Sequence, residues 1–186
     1  VQDVFDRDYQ EIKGYDWGGQ PKYHTKYDFY TDREATAFLD RFLTSEDIVS
    51  AVGTDINGYI PTHNTRWQRP LTGNTAKDLE GNRTKRIANY EVALKAAKSD
   101  APSLVQPYKR DTGAMMWDVS SPVFVKGKHW GCFRVIVSVD SIEKQRATLM
   151  RLLLAMFVGF AMLTAVSMFA MIRRAMVPLV ELTKLA

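Results

Sequence analysis

Three arginines carry the strongest chemical signal in this chain. Arg134 lies inside an apolar run, Cys132-Phe133-Arg134-Val135-Ile136. An arginine there either reaches solvent or is buried against a partner. Asp111 and Asp118 are the acids that could neutralise it, and an anionic ligand is the alternative. Arg86 and Arg110 offer the same planar fork, which pairs bidentately with carboxylates. His63 and His129 could ligate a metal or a haem iron, with Met115 or Met116 as a second ligand. They lack a paired-ligand spacing, so hydrogen-bonded structural histidines are the plainer reading. Trp67, Tyr108, Trp117 and Trp130 could line a pocket or pack a core. Asp118 and Ser120 form no recognisable hydrolytic triad, and the chain has no Gly-rich phosphate loop and no HExxH. The expectation is that it is not an enzyme. Cys132, the one cysteine, excludes an internal disulfide, a Cys-rich zinc site and a CxxCH haem attachment.

The elements that would position these residues follow from periodicity. Residues 1–22 are polar and aromatic, with Gly14, Gly18, Gly19 and Pro21, and read as a short helix or loop. Phe29, Ala35, Phe38, Leu39, Phe42 and Leu43 recur at spacings of three and four and predict an amphipathic helix over 24–43. The alternating run 47–55 predicts a strand. Asp55, Asn57 and Gly58 then supply a turn, and Tyr59-Ile60-Pro61 begins a return strand. Residues 64–82 read as loop, with Asn64 a candidate cap, and 83–98 as a helix. Three more strands are expected over 103–110, 115–125 and 129–139. Asp140 and Glu143 form a capping box that starts a final helix. The fold class is α+β, an antiparallel sheet of about five strands flanked by helices, with a long C-terminal helix.

That last helix runs into Leu152–Ile172, 21 residues without a charge. At about 1.5 Å per residue it is roughly 32 Å long, enough for a bilayer core of about 30 Å. Only Thr164 and Ser167 interrupt it, and Ala155 and Gly159 would let a second helix approach. The chain has 186 residues and a net charge of +4, with 46% apolar and 25% charged residues. Disorder is thereby excluded. Most of the net charge flanks the apolar segment, three basic residues on each side, so charge does not set its orientation. The densest basic cluster, Arg83-Thr84-Lys85-Arg86, is short and has no interleaved aromatics, so no nucleic-acid partner is expected. Val1 is not an initiator and no signal peptide follows it, so a segment of a longer protein is expected. The strand-to-span connection has a mechanical reading, in which movement in the sheet pushes or tilts the helix. A passive ectodomain on an anchor is the other.

Four motifs then stand out in order: Thr54-Asp-Ile-Asn-Gly-Tyr-Ile-Pro-Thr-His-Asn64, Asn82-Arg-Thr-Lys-Arg-Ile-Ala-Asn89, Gln106-Pro-Tyr-Lys-Arg-Asp-Thr-Gly113, and Trp117-Asp-Val-Ser-Ser-Pro122 with Gly127-Lys-His-Trp-Gly-Cys-Phe-Arg134. Together they resemble the extracytoplasmic single-Cache (PAS-like) sensor domain of bacterial methyl-accepting chemotaxis proteins. The last 13 residues, from Arg174, resemble the opening of a HAMP domain, with Leu179, Leu182 and Ala186 suiting a coiled-coil seam and Pro178 a helix restart. The resemblance divides the chain into a lead-in (1–24), a sensor (25–139), a juxtamembrane helix (140–151), a transmembrane helix (152–172) and the start of HAMP (173–186). It implies a periplasmic sensor on the bacterial inner membrane, preceded by another transmembrane helix. It also implies a homodimer, a small-molecule ligand, anionic ones included, and a cytoplasmic kinase or adaptor reached beyond Ala186. The same sensor could instead serve a diguanylate cyclase or a histidine kinase. The binding candidates are His63, Arg86, Asn89, Tyr108, Arg110, Asp118, Trp130 and Arg134. Relatives with CxxCH hold haem covalently. Cys132 stands alone, so no cofactor is expected, and a non-covalent haem redox or gas sensor is the remaining cofactor reading. Ala88-Asn89-Tyr90 replaces the usual Phe-Asn-Asp, so any role of that acid is lost.

Overall fold

Backbone pairing, more than helix propensity, decides the fold. A computed structural model describes residues 2–14, 20–109, 113 and 115–182; the side chains of 140–144 and 175–182 are outside that description. The chain divides into two compact units, Val1–Asp140 and Ser141–Ala186.

In the first unit a 3-10 turn over Gln2–Phe5 precedes β1 (Gln10–Glu11) and β2 (Tyr23–His24), which pair with each other. Helix α1 (Asp28–Asp40) falls within the expected 24–43. Its periodicity is misleading in part. Leu39 is buried, but Phe29 and Phe38 are mostly exposed. Strand β3 (Ile48–Asp55) matches the alternating run.

The return strand β4 (Tyr59–Ile60) departs from the expected hairpin. It pairs with β5 (Arg86–Ile87), not with β3. The reason lies in the turn. One oxygen of buried Asp55 accepts the amides of Asn57 and Tyr59, both at 2.9 Å. Gly58 adopts φ +87°, a conformation that costs glycine little. The chain thus bends away from β3. The outer edge of β3 is served by side chains instead: Asn64 Oδ1 accepts the Ala51 amide at 2.8 Å, and the Trp67 indole donates to the Val49 carbonyl at 2.9 Å.

Two further expectations fail for local reasons. The segment 64–82 contains helix α2 (Thr75–Gly81). The Asn74 side chain caps it by accepting from the Lys77 amide, as asparagine does at helix starts. Buried Asp78 then fastens the preceding loop by accepting from Thr72 and Gly73. Conversely, the helix expected over 83–98 is confined to α3 (Glu91–Lys98). Lys85 takes φ +61°, and the pairing of β5 with β4 holds the rest extended.

Strands β6 (Leu104–Lys109), β7 (Met115–Val125) and β8 (Lys128–Ser138) lie close to the expected ranges. The main sheet is antiparallel, of order β3-β8-β7-β6. It has four strands, one fewer than expected, because β4 belongs elsewhere. One face carries Ser50, Val52, Met116, Asp118, Arg134 and Ile136, and α3 packs over part of it with Ala93, Ala96 and Ala97. A second cluster, Tyr27, Tyr59 and Trp130, joins the N-terminal segment to the sheet. There Trp130 donates to the Val4 carbonyl, and Tyr9 and Tyr27 donate to Asp55. Burial, first of all, and then Asp55 raise the pKa of both tyrosines.

The second unit is described by α4 (Asp140–Leu182). The capping-box side chains lie outside the described residues. The helix continues through Pro178 without the expected restart, and Ala186 lies outside the description. Its stretch Gln145–Arg174 is 30 residues, long and apolar enough to cross a membrane, and none of it is buried within the protein. Thr164 and Ser167 donate to the carbonyls of Ala161 and Leu163. Their hydroxyls are thereby satisfied inside the helix, as hydrocarbon requires.

Candidate functional site

A cavity of about 1120 Å³ lies against the face of the sheet that carries Arg134. β3 and β8 contribute Ser50, Val52, Arg134 and Ile136 to its wall. Met115, Met116 and Tyr108 close one side, and His63 and Trp67 another. The segment from Gln20 to Tyr23 and the extended stretch from Arg83 to Asn89 complete it.

Arg134 is 2% exposed. Its Nε donates to Asp118 Oδ2 at 2.9 Å, and Nη2 donates to the same oxygen. Nη2 also lies 3.3 Å from the Tyr90 hydroxyl oxygen. Nη1 makes no hydrogen bond and is not among the sealed, unpartnered atoms. It therefore opens to the cavity. Burial works against the charge, but Tyr90 and Asp118 outweigh it, and the guanidinium stays protonated. The other Asp118 oxygen is buried without a partner. Tyr90 stacks on Tyr108 with centroids 5.5 Å apart and planes 14° apart.

Arg86 also lines the cavity. Its Nη1 donates to Gln20 Oε1 at 2.8 Å, which ties the N-terminal segment to the wall. His63 accepts the Asn64 amide at Nδ1, so the ring proton belongs on Nε2. Asn89 lines the cavity and is exposed. No family model, curated protein or solved structure matches the chain. The site is therefore argued from its own geometry.

Of the candidates read from sequence, His63, Arg86, Asn89, Tyr108 and Arg134 share this cavity, and Asp118 backs it through Arg134. Trp130 does not join them. Its ring packs on Tyr27 in the second cluster, because the Val4 carbonyl draws its N–H that way. Arg110 and Asp111 lie outside the described residues. His129 is apart from His63, held by the Gly131 carbonyl and Asp100. Among the described residues no three His, Cys, Asp or Glu side chains gather as metal ligands. Burial pushes the Cys132 thiol up to about 12, which keeps it from acting as a thiolate.

Tyr90 and Ser50 were missed from sequence. Tyr90 stood out there only as a departure from a motif. Ser50 gave no signal beyond its alternation in β3, which does place it on the face of Val52.

Behind this wall sits Lys22, 3% exposed, donating to the Asn82 carbonyl. Burial first, then Arg86 and Lys85, lower its pKa from 10.5 to about 7, while Asp78 opposes the shift. Between those values the unfolded chain keeps a proton that the folded one sheds. Stability contributed by this group therefore rises with pH across that window and is lowest below about pH 7. Lys22→Met should gain most over the parent near pH 6, and the gain should shrink toward pH 10. Thermal melts of both proteins across this range check it.

Proposed function

We propose that this chain is the sensing and membrane-crossing part of a bacterial chemoreceptor. The sensor faces the periplasm, α4 crosses the inner membrane, and a dimer passes the signal to a cytoplasmic kinase through a region beyond Ala186. The observation that carries the reading is a cavity walled by β8, the strand whose chain continues directly into α4. A molecule held at Arg134 acts on a strand six residues before Asp140. Support comes also from the motif resemblance, which covers His63, Arg86, Asn89, Tyr108 and Arg134 together.

The signal is then a bias between two arrangements of the last helix, typically about 1–3 kcal/mol. The test is a thermal-shift screen of the whole chain in detergent against organic acids, amino acids and amines. At 100 times its Kd a ligand of the folded state adds about 2.7 kcal/mol. At least one class should raise Tm, and the same compound should change disulfide cross-linking of an Ala155→Cys variant in nanodiscs. No shift from any class would overturn the proposal. One observation favours a second reading, a non-covalent haem: His63 and Met116 line the same cavity. A Soret band after reconstitution, lost in His63→Ala, would favour it over a small-molecule ligand.

A further inference from the structure

Resting on that sensor reading, we propose that the cavity takes a carboxylate on an apolar, ring-sized body, held by Arg134 Nη1, the Tyr90 hydroxyl and Ser50 Oγ.

Unused donors carry the first part of the argument. Arg134 is almost wholly buried, yet its Nη1 is unbonded and open to the cavity. The Tyr90 oxygen is within reach of Nη2 as an acceptor. Its own hydrogen must then point elsewhere, and no acceptor among the described residues takes it. Ser50 lines the same space, and its hydroxyl makes no hydrogen bond among the described residues. Arg134 and Ser50 are buried, and buried donors left in this state cost free energy unless a ligand or water meets them. All of these are donors, so the group they await is an acceptor.

The backbone adds to this. Tyr90 is the N-cap residue of α3, and no side chain caps that helix start. The first-turn amides of an uncapped helix favour a negative group. Arg134 therefore meets the start of α3 through Tyr90, and Tyr90 to Val92 all line the cavity.

Charge selects an anion over a neutral carbonyl. Asp118 offsets Arg134, but Arg83, Arg86 and Lys109 also line the cavity, against Glu91 alone. The depressed pKa of Lys22 behind the wall reflects burial first and then Arg86 and Lys85, of which Arg86 lines the cavity. One guanidinium nitrogen and two hydroxyls match the two oxygens of a carboxylate, and a doubly charged phosphate would want more donors. Val52, Met115, Met116, Ile136, Trp67 and Tyr108 give the rest of the wall a largely apolar and aromatic stretch, which suits a ring better than a second charge.

Benzoate, benzamide and benzylamine share one ring and differ in charge, so they separate the possibilities. Calorimetric titration of the whole chain in detergent should show benzoate binding, weakening with salt, and benzylamine not binding. Ser50→Ala and Tyr90→Phe keep the fold and the Tyr90 stack. Each should weaken benzoate about ten- to hundredfold, the worth of one hydrogen bond to a charged group. Arg134 is left intact because its loss would strand Asp118. Benzamide or benzylamine binding as tightly as benzoate would overturn the inference, as would unchanged affinity in both variants or no benzoate binding. If another class still raises Tm in the wider screen, sensing survives and only the carboxylate assignment falls.

Discussion

Asp118→Ala should destabilise the first unit by about 3–5 kcal/mol, the usual cost of leaving one member of a buried ion pair alone. Arg134 would keep its charge at 2% exposure with only Tyr90 beside it. Asp118 itself is fully buried, so no solvent is at hand to take its place. A loss this large is a sizeable share of the stability of an ordinary domain. Replacing both partners, Asp118→Leu with Arg134→Met, should recover most of it, since apolar pairs of similar volume are often neutral or better. Urea titrations followed by tryptophan fluorescence would compare the three proteins. A loss under about 1 kcal/mol in the single variant would mean that water reaches the pair. The double variant has a further use, because it separates folding from ligand capture: it should be stable and should not bind benzoate.

The second large effect is expected at Gly131. A Cβ added there would lie 2.1 Å from the Thr54 carbonyl oxygen and 2.6 Å from Asp55 Cα. Both atoms are backbone of β3, so no side chain can swing aside. Gly131 pairs with Asp55 at the end of the β3–β8 ladder, and the register between β7 and β8 shifts beside it. Relief therefore means parting β3 from β8 near the Asp55 network. Gly131→Ala should cost more than about 4 kcal/mol, in the range reserved for named steric failures. Gly127→Ala is the control. Gly127 also has positive φ but meets no atom within 4 Å, so it should lose only about 1 kcal/mol. Equal losses in the two variants would show that conformation, not contact, sets the cost at Gly131.

What could be read from the residues divides along a physical line. β3, β6, β7 and β8 were legible because alternation and turn residues are local signals. The long apolar run behind α4 was legible for the same reason. Tyr59-Ile60 was not, because the choice between β3 and β5 as a partner depends on Asp55 drawing two amides into the turn. Arg83–Tyr90 looked helical by composition, and pairing with β4 overrode that preference. In the site, Arg134 was conspicuous as a charge within an apolar strand, and Asp118 was one of two acids, with Asp111, read as its possible partner. Trp130 was misleading, since a tryptophan near motif residues can face either cluster and only the distant Val4 carbonyl settles which. The role of Tyr90 was not legible for a related reason. Its importance comes from lying beside Arg134, 44 positions away in the chain.

The margins of the main sheet have a consequence for assembly. An open strand edge is a template on which another chain can add a strand, and proteins must blunt it. Here Asn64 and Trp67 occupy backbone groups of β3 on one margin. On the other, β6 carries Pro107 and exposed Lys109, and a proline has no amide to offer an incoming strand. Neither margin can zip onto a second copy in register. Two copies of this chain at high local concentration are thus hindered from fusing into one continuous sheet through these margins.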